Sequence, residues 1–417
     1  MERVELARRL GAEPHGENEP AVIEGGSAGH AAEFMAALAR AVAGRGSVFL
    51  ADPAWKEAER AVLAEVVAAA REASAGERGW LMIPSGGTTG RVKFARHDAA
   101  TLAAAARGFA GHFSVPAVNA INILPLHHVS GLMPWMRCVV TGGKHVVGDW
   151  KRIEAGEFPD VPAGGAWFLS LVPTQLQRLL GSARAVEWLR KFRAVCVGGG
   201  PAWAALLEQG ADARLPLAVS YGMTETAAMV TALRPEEFLA GGRNCGAALP
   251  HARVTIGAEG GVSVAGESLF RGYFPAWREA RAAWVTGDVG ELDARGRLRI
   301  FGRRDAVIIT GGKKVDPADV EAALRATGEF EDVAVVAADD ADWGQAVVAC
   351  YPAEERGRAP DWERVRERLS ETLPAFKRPK RYVALAAWPR NAQGKLNRAT
   401  LMRAIAAAGA NGVSGER

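Results

Sequence analysis

Cysteine is scarce in this chain. Its 417 residues include four, Cys138, Cys196, Cys245 and Cys350, which lie far apart without a CxxC pair. That spacing argues against a disulfide framework and against a cysteine-ligated metal site. Long apolar runs are also missing, since none reaches the roughly 18 residues of a membrane-spanning helix. Residues 1–10 alternate charged and apolar side chains and lack the apolar core of a signal peptide. A cytoplasmic protein with reduced thiols is expected. Lysine is sparse too, because all but ten of the 51 basic residues are arginine, and the net charge is only +4. A balance so small and so evenly spread excludes a nucleic-acid reading, yet it suits an anionic small molecule such as a nucleotide. No internal repeat is visible.

What is present is an ordinary globular composition, 49% apolar and 24% charged, in a chain long enough for two to four domains. Residues 28–75 are alanine-rich with helical apolar spacing, as in Phe34, Met35, Leu38 and Val42, and in Val62, Leu63, Val66 and Val67. From residue 80 short apolar runs alternate with helical stretches. Strands are expected at 121–124, 167–172, 194–197 and 217–220, with helices at 173–180 and 185–192. This alternation predicts α/β layers whose strands are buried on both faces. From residue 251 closely spaced strands at 253–256, 261–264 and 298–300 predict a small β-rich part, about 246–304. After Arg304 the pattern changes again. Asp316-Pro317 reads as the N-cap and first position of a helix. Strands at 332–336 and 346–351, a charged helix at 361–373 and a strand at 382–385 complete a compact α+β unit. The tail 408–417 is rich in Gly, Ser and Asn and is expected to be disordered.

Four strings carry chemistry. Ser85-Gly-Gly-Thr-Thr-Gly90, followed by Lys93, combines backbone amides that can approach an anion, hydroxyl donors and one positive charge. It lacks the GKS/GKT ending of a Walker-type loop, and the same string also fits a plain glycine-rich turn. Ser220-Tyr-Gly-Met-Thr-Glu-Thr226 follows a strand and delivers an aromatic ring, hydroxyls and a carboxylate to one sheet edge. Tyr221 suits stacking on a base, Thr224 a phosphate and Glu225 an oxygen-ligated Mg²⁺; a capping Thr beside a solvated Glu is the plainer alternative. Thr286-Gly-Asp288, Phe301-Gly-Arg-Arg-Asp305 and Gly311-Gly312-Lys313 form the third group. Asp288 suits a ribose diol and Arg303 phosphate or ribose oxygens, although each also fits a structural ion pair. The fourth, Asn391-Ala-Gln-Gly-Lys395, presents one lysine on a turn and by itself signifies little.

In this order the strings resemble the superfamily of acyl- and aryl-CoA synthetases, luciferases and peptide-synthetase adenylation domains, over roughly residues 80–405. The resemblance implies a large N-terminal domain of layered α/β sheets, 1–304, with the β-rich part at its end. A mobile C-terminal α+β domain, 305–407, would follow. It also implies roles. Ser85, Gly87, Thr88, Thr89, Gly90 and Lys93 would hold the triphosphate. Gly198-Gly199-Gly200 would cover one face of the adenine and Tyr221 the other, and Gly222 would also belong to the ATP site. Thr224 would bind phosphate, Glu225 Mg²⁺, and Asp288 with Arg303 the ribose. Asp305 would be the hinge, Gly311 and Gly312 the pantetheine path, and Lys395 the bridge between carboxylate and α-phosphate. ATP and CoA would be substrates.

Leu124-Pro-Leu-His-His-Val-Ser-Gly131 and Ser170-Leu-Val-Pro-Thr-Gln-Leu-Gln-Arg-Leu-Leu180 resemble more narrowly the 2-succinylbenzoate–CoA ligase family of menaquinone and phylloquinone biosynthesis. In that resemblance His128, Ser130 and Thr174 line the acyl pocket. Arg178, one helical turn from Thr174, would offset the acid's non-reacting carboxylate. A packed histidine at a strand end and a solvated arginine on a helix are the simpler alternatives. Three departures from the family pattern stand out. About 80 residues precede the phosphate loop, an expected trimming of the N-terminal domain; Gly86 replaces a hydroxyl residue, and Val92 a proline. The rival expectations are another aryl- or acyl-CoA ligase, a stand-alone adenylation enzyme, and a non-catalytic nucleotide-binding scaffold. A homodimer is a further expectation.

Overall fold

The computed structural model describes residues 1–26, 28–72, 78–86, 92–257, 260–278, 282–303, 308–311, 313–340, 342–353, 358–390, 396, 400–401 and 405. Its strands form four sheets. The first contains β1 (Ala21–Glu24), β2 (Val48–Ala51), β3 (Leu81–Gly86) and β4 (Val92–His97), in that spatial order. β1, β2 and β3 run parallel, and β3 turns back on β4 as an antiparallel pair with Ser85 opposite Lys93. The second has seven strands: β5 (Asn119–Asn122), β6 (His145–Val147), β7 (Trp167–Leu171), β8 (Ala194–Val197), β9 (Leu217–Met223), β10 (Ala228–Ala232) and β11 (Ala247–Ala248). β5 to β9 pair in parallel, and β10 is antiparallel to β9. The third is an antiparallel meander of β12 (Ala252–Ile256), β13 (Gly261–Gly266), β14 (Trp284–Leu292) and β15 (Leu298–Arg303). The fourth holds β16 (Ile308–Thr310), β17 (Lys313–Val315), β18 (Ala334–Asp340), β19 (Gly344–Pro352) and β20 (Arg381–Leu385). The layered α/β class expected from residue 80 onward is the class observed.

The parallel strands are sealed on both faces. Val195, Val197 and Leu217 are buried with Leu176, Leu179, Leu189 and Leu206 of the flanking helices, while Ala194, Cys196 and Ala218 pack with Phe109 and Phe113 on the opposite face. Burying one such aliphatic side chain contributes about 1.5–3 kcal/mol, so these runs of Val, Leu and Ala hold the sheet that presents the site. The helix Ala99–His112 starts where Asp98 accepts from Thr101 N at 2.9 Å and Thr101 Oγ1 accepts from Asp98 N at 3.1 Å. This reciprocal cap satisfies two otherwise orphaned amides.

Several element ends differ from the sequence expectation, with local causes. The strand expected at 121–124 is Asn119–Asn122. Asn122 turns the chain, since its Oδ1 accepts from Leu124 N at 3.1 Å and its Nδ2 donates to Gly131 O at 2.8 Å. The helix expected at 185–192 runs Ala183–Leu189, because the Ser182 hydroxyl caps it by accepting from Ala185 N. Between the helices Ala31–Ala43 and Glu57–Glu72, the expected all-helical region contains β2, which is buried along its whole length. Gly44 and Gly46 end the first helix, and a Cβ at Gly46 would lie 1.9 Å from Glu19 O. At 316–317 the expectation holds: Asp316 caps the helix Pro317–Ala326 by accepting from Ala318 N at 2.9 Å. The tail 408–417 lies outside the described residues. Among the described residues no helix is long and apolar enough to cross a membrane.

Candidate active site at the end of the central sheet

β9 runs past residue 220 to Met223, so Tyr221 and Gly222 lie on the strand and Thr224–Thr226 form a single tight turn before β10. This turn is held from several sides. Thr226 Oγ1 donates to Met223 O at 3.0 Å. His97 Nε2 stands 2.8 Å from Thr224 O. A carbonyl only accepts, so Nε2 carries the ring proton. Burial pushes His97 down to about 4, which keeps the imidazole neutral at pH 7. Ala227 and Ala228 follow with φ of 51° and 74°. Two successive non-glycine residues in the left-handed region cost on the order of 1–3 kcal/mol each, and such strain concentrates at functional turns. Gly222 is required opposite them, because a Cβ there would sit 1.9 Å from Ala228 O.

This turn places Glu225, only 7% exposed, against the end of the β3–β4 hairpin. Ser85 Oγ donates to Glu225 Oε1 at 2.9 Å, and the Tyr273 hydroxyl donates to the same oxygen. Burial and the Glu225 charge push the Tyr273 phenol upward, so it stays a donor. Lys93 Nζ lies 5.4 Å from the centre of the Tyr273 ring. Among the described residues every side-chain hydrogen bond to Glu225 goes to Oε1; Oε2 remains for a cation or donor.

A second buried carboxylate stands nearby. Tyr221 OH donates to Asp288 Oδ2 at 2.6 Å, and Arg303 Nη1 lies 3.6 Å from Asp288 Oδ1 while donating to Thr286 O at 3.3 Å. Burial and the Asp288 charge raise the Tyr221 phenol. Asp288 and Arg303 face each other in the β14–β15 register. Gly287, at φ +80°, leaves room for the guanidinium, since a Cβ would lie 3.1 Å from Arg303 Nη2. Gly198, Gly199 and Gly200 form the turn after β8; Gly199 has φ +76°, and a Cβ at Gly198 would be 2.7 Å from Ser220 Oγ.

The residues expected around the acyl pocket divide. His127 and His128 are buried beside Asp52 of the first sheet, their Nε2 atoms each 3.6 Å from Asp52 Oδ2. Burial alone would raise the Asp52 carboxyl, but the two imidazoles hold it well below the usual range. Ser130 lies in the first turn of the helix Val129–Thr141 and is half-buried. Thr174 is exposed. Arg178 does not join the buried groups: its side chain is 59% exposed and its Nη1 bonds Glu154 Oε1 at 2.6 Å. In its surface position the guanidinium is paired with a carboxylate of the protein. Gly311 is at φ +53°, its N donating to Trp343 O at 2.9 Å. Gly87, Thr88, Thr89, Gly90, Asp305, Gly312 and Lys395 lie outside the described residues.

Three contributors escape sequence reasoning: His97, Tyr273 and Asp52. A signal existed for one. The chain has four tyrosines, and two of them, Tyr221 and Tyr273, donate to the buried carboxylates. His97 and Asp52 acquire meaning only through contacts distant in sequence.

Residues 28–274 match the model of the AMP-binding enzyme family, and residues 319–395 match the AMP-binding enzyme C-terminal domain. The 2-succinylbenzoate–CoA ligase of Geobacillus kaustophilus is 34% identical over 297 residues, 68% of this chain and 60% of that protein. The ligase of the same name from Listeria innocua is 32% identical over 289 residues, covering 66% of this chain and 59% of its own. The chain thus spans about 60% of the length of these curated relatives. Among solved structures, o-succinylbenzoate CoA synthetase from Bacillus subtilis in complex with its acyl-adenylate intermediate superposes with a TM-score of 0.73. The two share 22% identity, over 96% of this chain and 91% of that one. MatB from Rhodopseudomonas palustris in its ATP-bound form gives a TM-score of 0.73 at 24% identity, over 96% and 92%. At these identities the structures speak for the fold. With two family models matched in order along the sequence and a carboxylate turn held at the end of the central sheet, this chain belongs to the AMP-binding enzyme family.

Proposed function

We propose that the chain is an ATP-dependent acid–CoA ligase that works through an acyl-adenylate. The acid we favour is 2-succinylbenzoate, giving 2-succinylbenzoyl-CoA, AMP and diphosphate in menaquinone or phylloquinone biosynthesis. The observation that carries the reading is Glu225, buried at the end of β9 and tied through Ser85 to the hairpin bearing the glycine-rich string. The choice of acid rests on likeness to ligases of that name.

A carboxylate resists thiolate attack because an oxide would have to leave. Activation solves this. A carboxylate oxygen bonds the ATP α-phosphorus, the bond to the bridging oxygen breaks, and pyrophosphate departs. CoA thiolate then attacks the acyl carbon, and AMP leaves with the electron pair. In this proposal Asp288, fixed by Tyr221 and Arg303, accepts the ribose hydroxyls. Gly198–Gly200 and Tyr221 flank the base, while Ser85, Gly87, Thr88, Thr89, Gly90, Lys93 and Thr224 surround the phosphates. A hard oxygen set suits Mg²⁺, and Glu225, whose Oε2 has no side-chain partner among the described residues, fits the ion, which would neutralise phosphate charge when bound. Lys395 would steady the reacting oxygens. We further assign 1–304 and 305–407 as two domains, with 246–304 as the β-rich part of the first. They turn about Asp305 so that Gly311 and Gly312 line the thiol's path. His128, Ser130 and Thr174 are assigned to the acyl pocket of a cytoplasmic, homodimeric enzyme.

One observation favours a second reading. Arg178, the expected partner of a second substrate carboxylate, is exposed and paired with Glu154, an arrangement that suits a monocarboxylic aryl or acyl acid. Pyrophosphate release across a panel of acids, with and without CoA, separates the two. We expect 2-succinylbenzoate to give the highest kcat/KM and a CoA thioester as product. A tenfold preference for benzoate or a fatty acid moves the assignment to the second reading, and no release with any acid removes both.

A further inference from the structure

Away from the carboxylates that face the nucleotide crevice, three buried groups with metal-ligating atoms converge. Asp52 follows β2, and His127 and His128 lie in the turn that leads into the helix Val129–Thr141. They are 4%, 5% and 8% exposed. One ligand atom from each lies within 4.8 Å of the others. Both imidazole Nε2 atoms stand 3.6 Å from the same oxygen, Asp52 Oδ2.

As a hydrogen-bonded cluster this arrangement is poor. An N–H···O bond spans about 2.7–3.2 Å, so the 3.6 Å contact of His127 with Asp52 is not a good one, and among the described residues His127 Nδ1 is buried without a hydrogen-bond partner. Buried polar groups are nearly always satisfied, and the spacing of His127 from Asp52 calls for an explanation. The spacing instead suits ligands around an ion. With bonds of about 2.0–2.1 Å, the edge between two ligands of a tetrahedral zinc ion is about 3.3 Å. The fold also makes room for the cluster. A Cβ at Gly25 would lie 1.8 Å from His127 Nδ1, so glycine at 25 is what lets this imidazole close on Asp52.

We infer that Asp52, His127 and His128 form a binding site for one divalent transition-metal ion of the zinc class, separate from the Mg²⁺ assigned to Glu225. Two imidazoles and one carboxylate are the donor types such ions take, and three protein ligands leave one position open. The borderline-soft nitrogen pair sets this site apart from Glu225, whose described side-chain hydrogen-bond partners are the hydroxyls of Ser85 and Tyr273, so the two sites select different ions.

The test uses the full chain, stripped with a chelator and titrated with Zn²⁺ in competition with a chromophoric indicator. One equivalent is expected to bind in the wild type. Asp52→Asn and His127→Gln should each weaken that binding at least tenfold, while Cys245→Ser, which alters the half-buried thiol, should leave it unchanged. X-ray absorption of the zinc-loaded wild type should show a nitrogen and oxygen shell at about 2.0 Å with imidazole scattering. Failure of the wild type to bind one equivalent overturns the site. So does a sulfur shell at about 2.3 Å. Unchanged affinity in either folded variant does the same, and the wild-type spectrum decides should both variants misfold.

Discussion

Ser85 Oγ and Glu225 Oε1 lie 2.9 Å apart although 140 residues separate them in sequence. This one bond joins the hairpin of the first sheet to the end of the central sheet, and Tyr273 adds a second hydroxyl to the same oxygen. Both hydroxyls go to one carboxylate oxygen, and among the described residues no side chain bonds the other. Glu225→Gln preserves shape and acceptor but removes the charge. We expect acid-dependent pyrophosphate release to fall about 100- to 1,000-fold, the size of one lost transition-state contact, with the melting temperature within a few degrees of wild type. A fall below tenfold at saturating Mg²⁺ would remove Glu225 from the assigned role.

Tyr221 and Asp288 form the second such pair, at 2.6 Å. Tyr221→Phe leaves the ring in place but strips a donor from a buried carboxylate, a change that costs about 1–3 kcal/mol. Because Asp288 is assigned to the ribose, the expected outcome is a rise in the KM for ATP of about tenfold, with the KM for the acid unaltered. Steady-state kinetics with each substrate varied in turn checks this; a rise confined to the acid's KM would contradict the ribose assignment.

These two pairs show what was legible in the sequence and what was not. Glu225 and Asp288 could be picked out because each ends or follows a short apolar run in a string with glycine and threonine, a local pattern. The layered α/β architecture was legible through the alternation of apolar runs and helical spacing. The partners were not. Tyr273, His97 and Asp52 reach their sites through strand pairing and loop packing, which bring together residues 48, 127 and 75 positions apart. β2 was hidden inside an alanine-rich helical pattern, because four consecutive buried apolar residues have no period of their own. Arg178 shows another limit of local spacing. Its spacing from Thr174 placed both on one helical face, but spacing does not reveal that the face is open to solvent and that Glu154 is there first.

The Arg178–Glu154 pair is exposed on both sides, at 59% and 40%. Exposed ion pairs contribute about 0–1 kcal/mol. Arg178→Ala is therefore expected to change unfolding free energy by less than about 1 kcal/mol and the KM for the acid by less than about twofold. Chemical denaturation and acid-dependent pyrophosphate release measure the two. A tenfold rise in the acid's KM would show instead that Arg178 meets the acid's second carboxylate.

Lys395 is assigned to the first half-reaction alone. Lys395→Ala should abolish formation of the acyl-adenylate from acid and ATP. Thioester formation from added acyl-adenylate and CoA should stay within about threefold of wild type, because the lost charge matters only while the carboxylate approaches phosphorus. Single-turnover assays of each half-reaction separate the steps. Equal loss in both would mean that the lysine supports the fold or the thioester step instead.

Asp316 caps the helix Pro317–Ala326 while half-buried, and burial raises its carboxyl from 3.8 to about 6. The direction of the resulting pH dependence follows from proton counting. Between pH 3.8 and about 6 the folded chain holds the Asp316 proton that the unfolded chain has released, so stability from this group falls as pH rises through that window. Above it the cost of the buried charge is constant, and below it there is none. Asparagine caps as well as aspartate and carries no charge. Asp316→Asn should therefore match the wild type near pH 3.5 and exceed it at pH 7 by on the order of 1–2 kcal/mol, after allowance for water around a half-buried side chain. Thermal melts of both proteins from pH 3.5 to 8 test this through the difference between the two curves, which cancels every other titrating group. A difference that is flat with pH, or that narrows as pH rises, would show that the Asp316 charge is not desolvated in the folded protein.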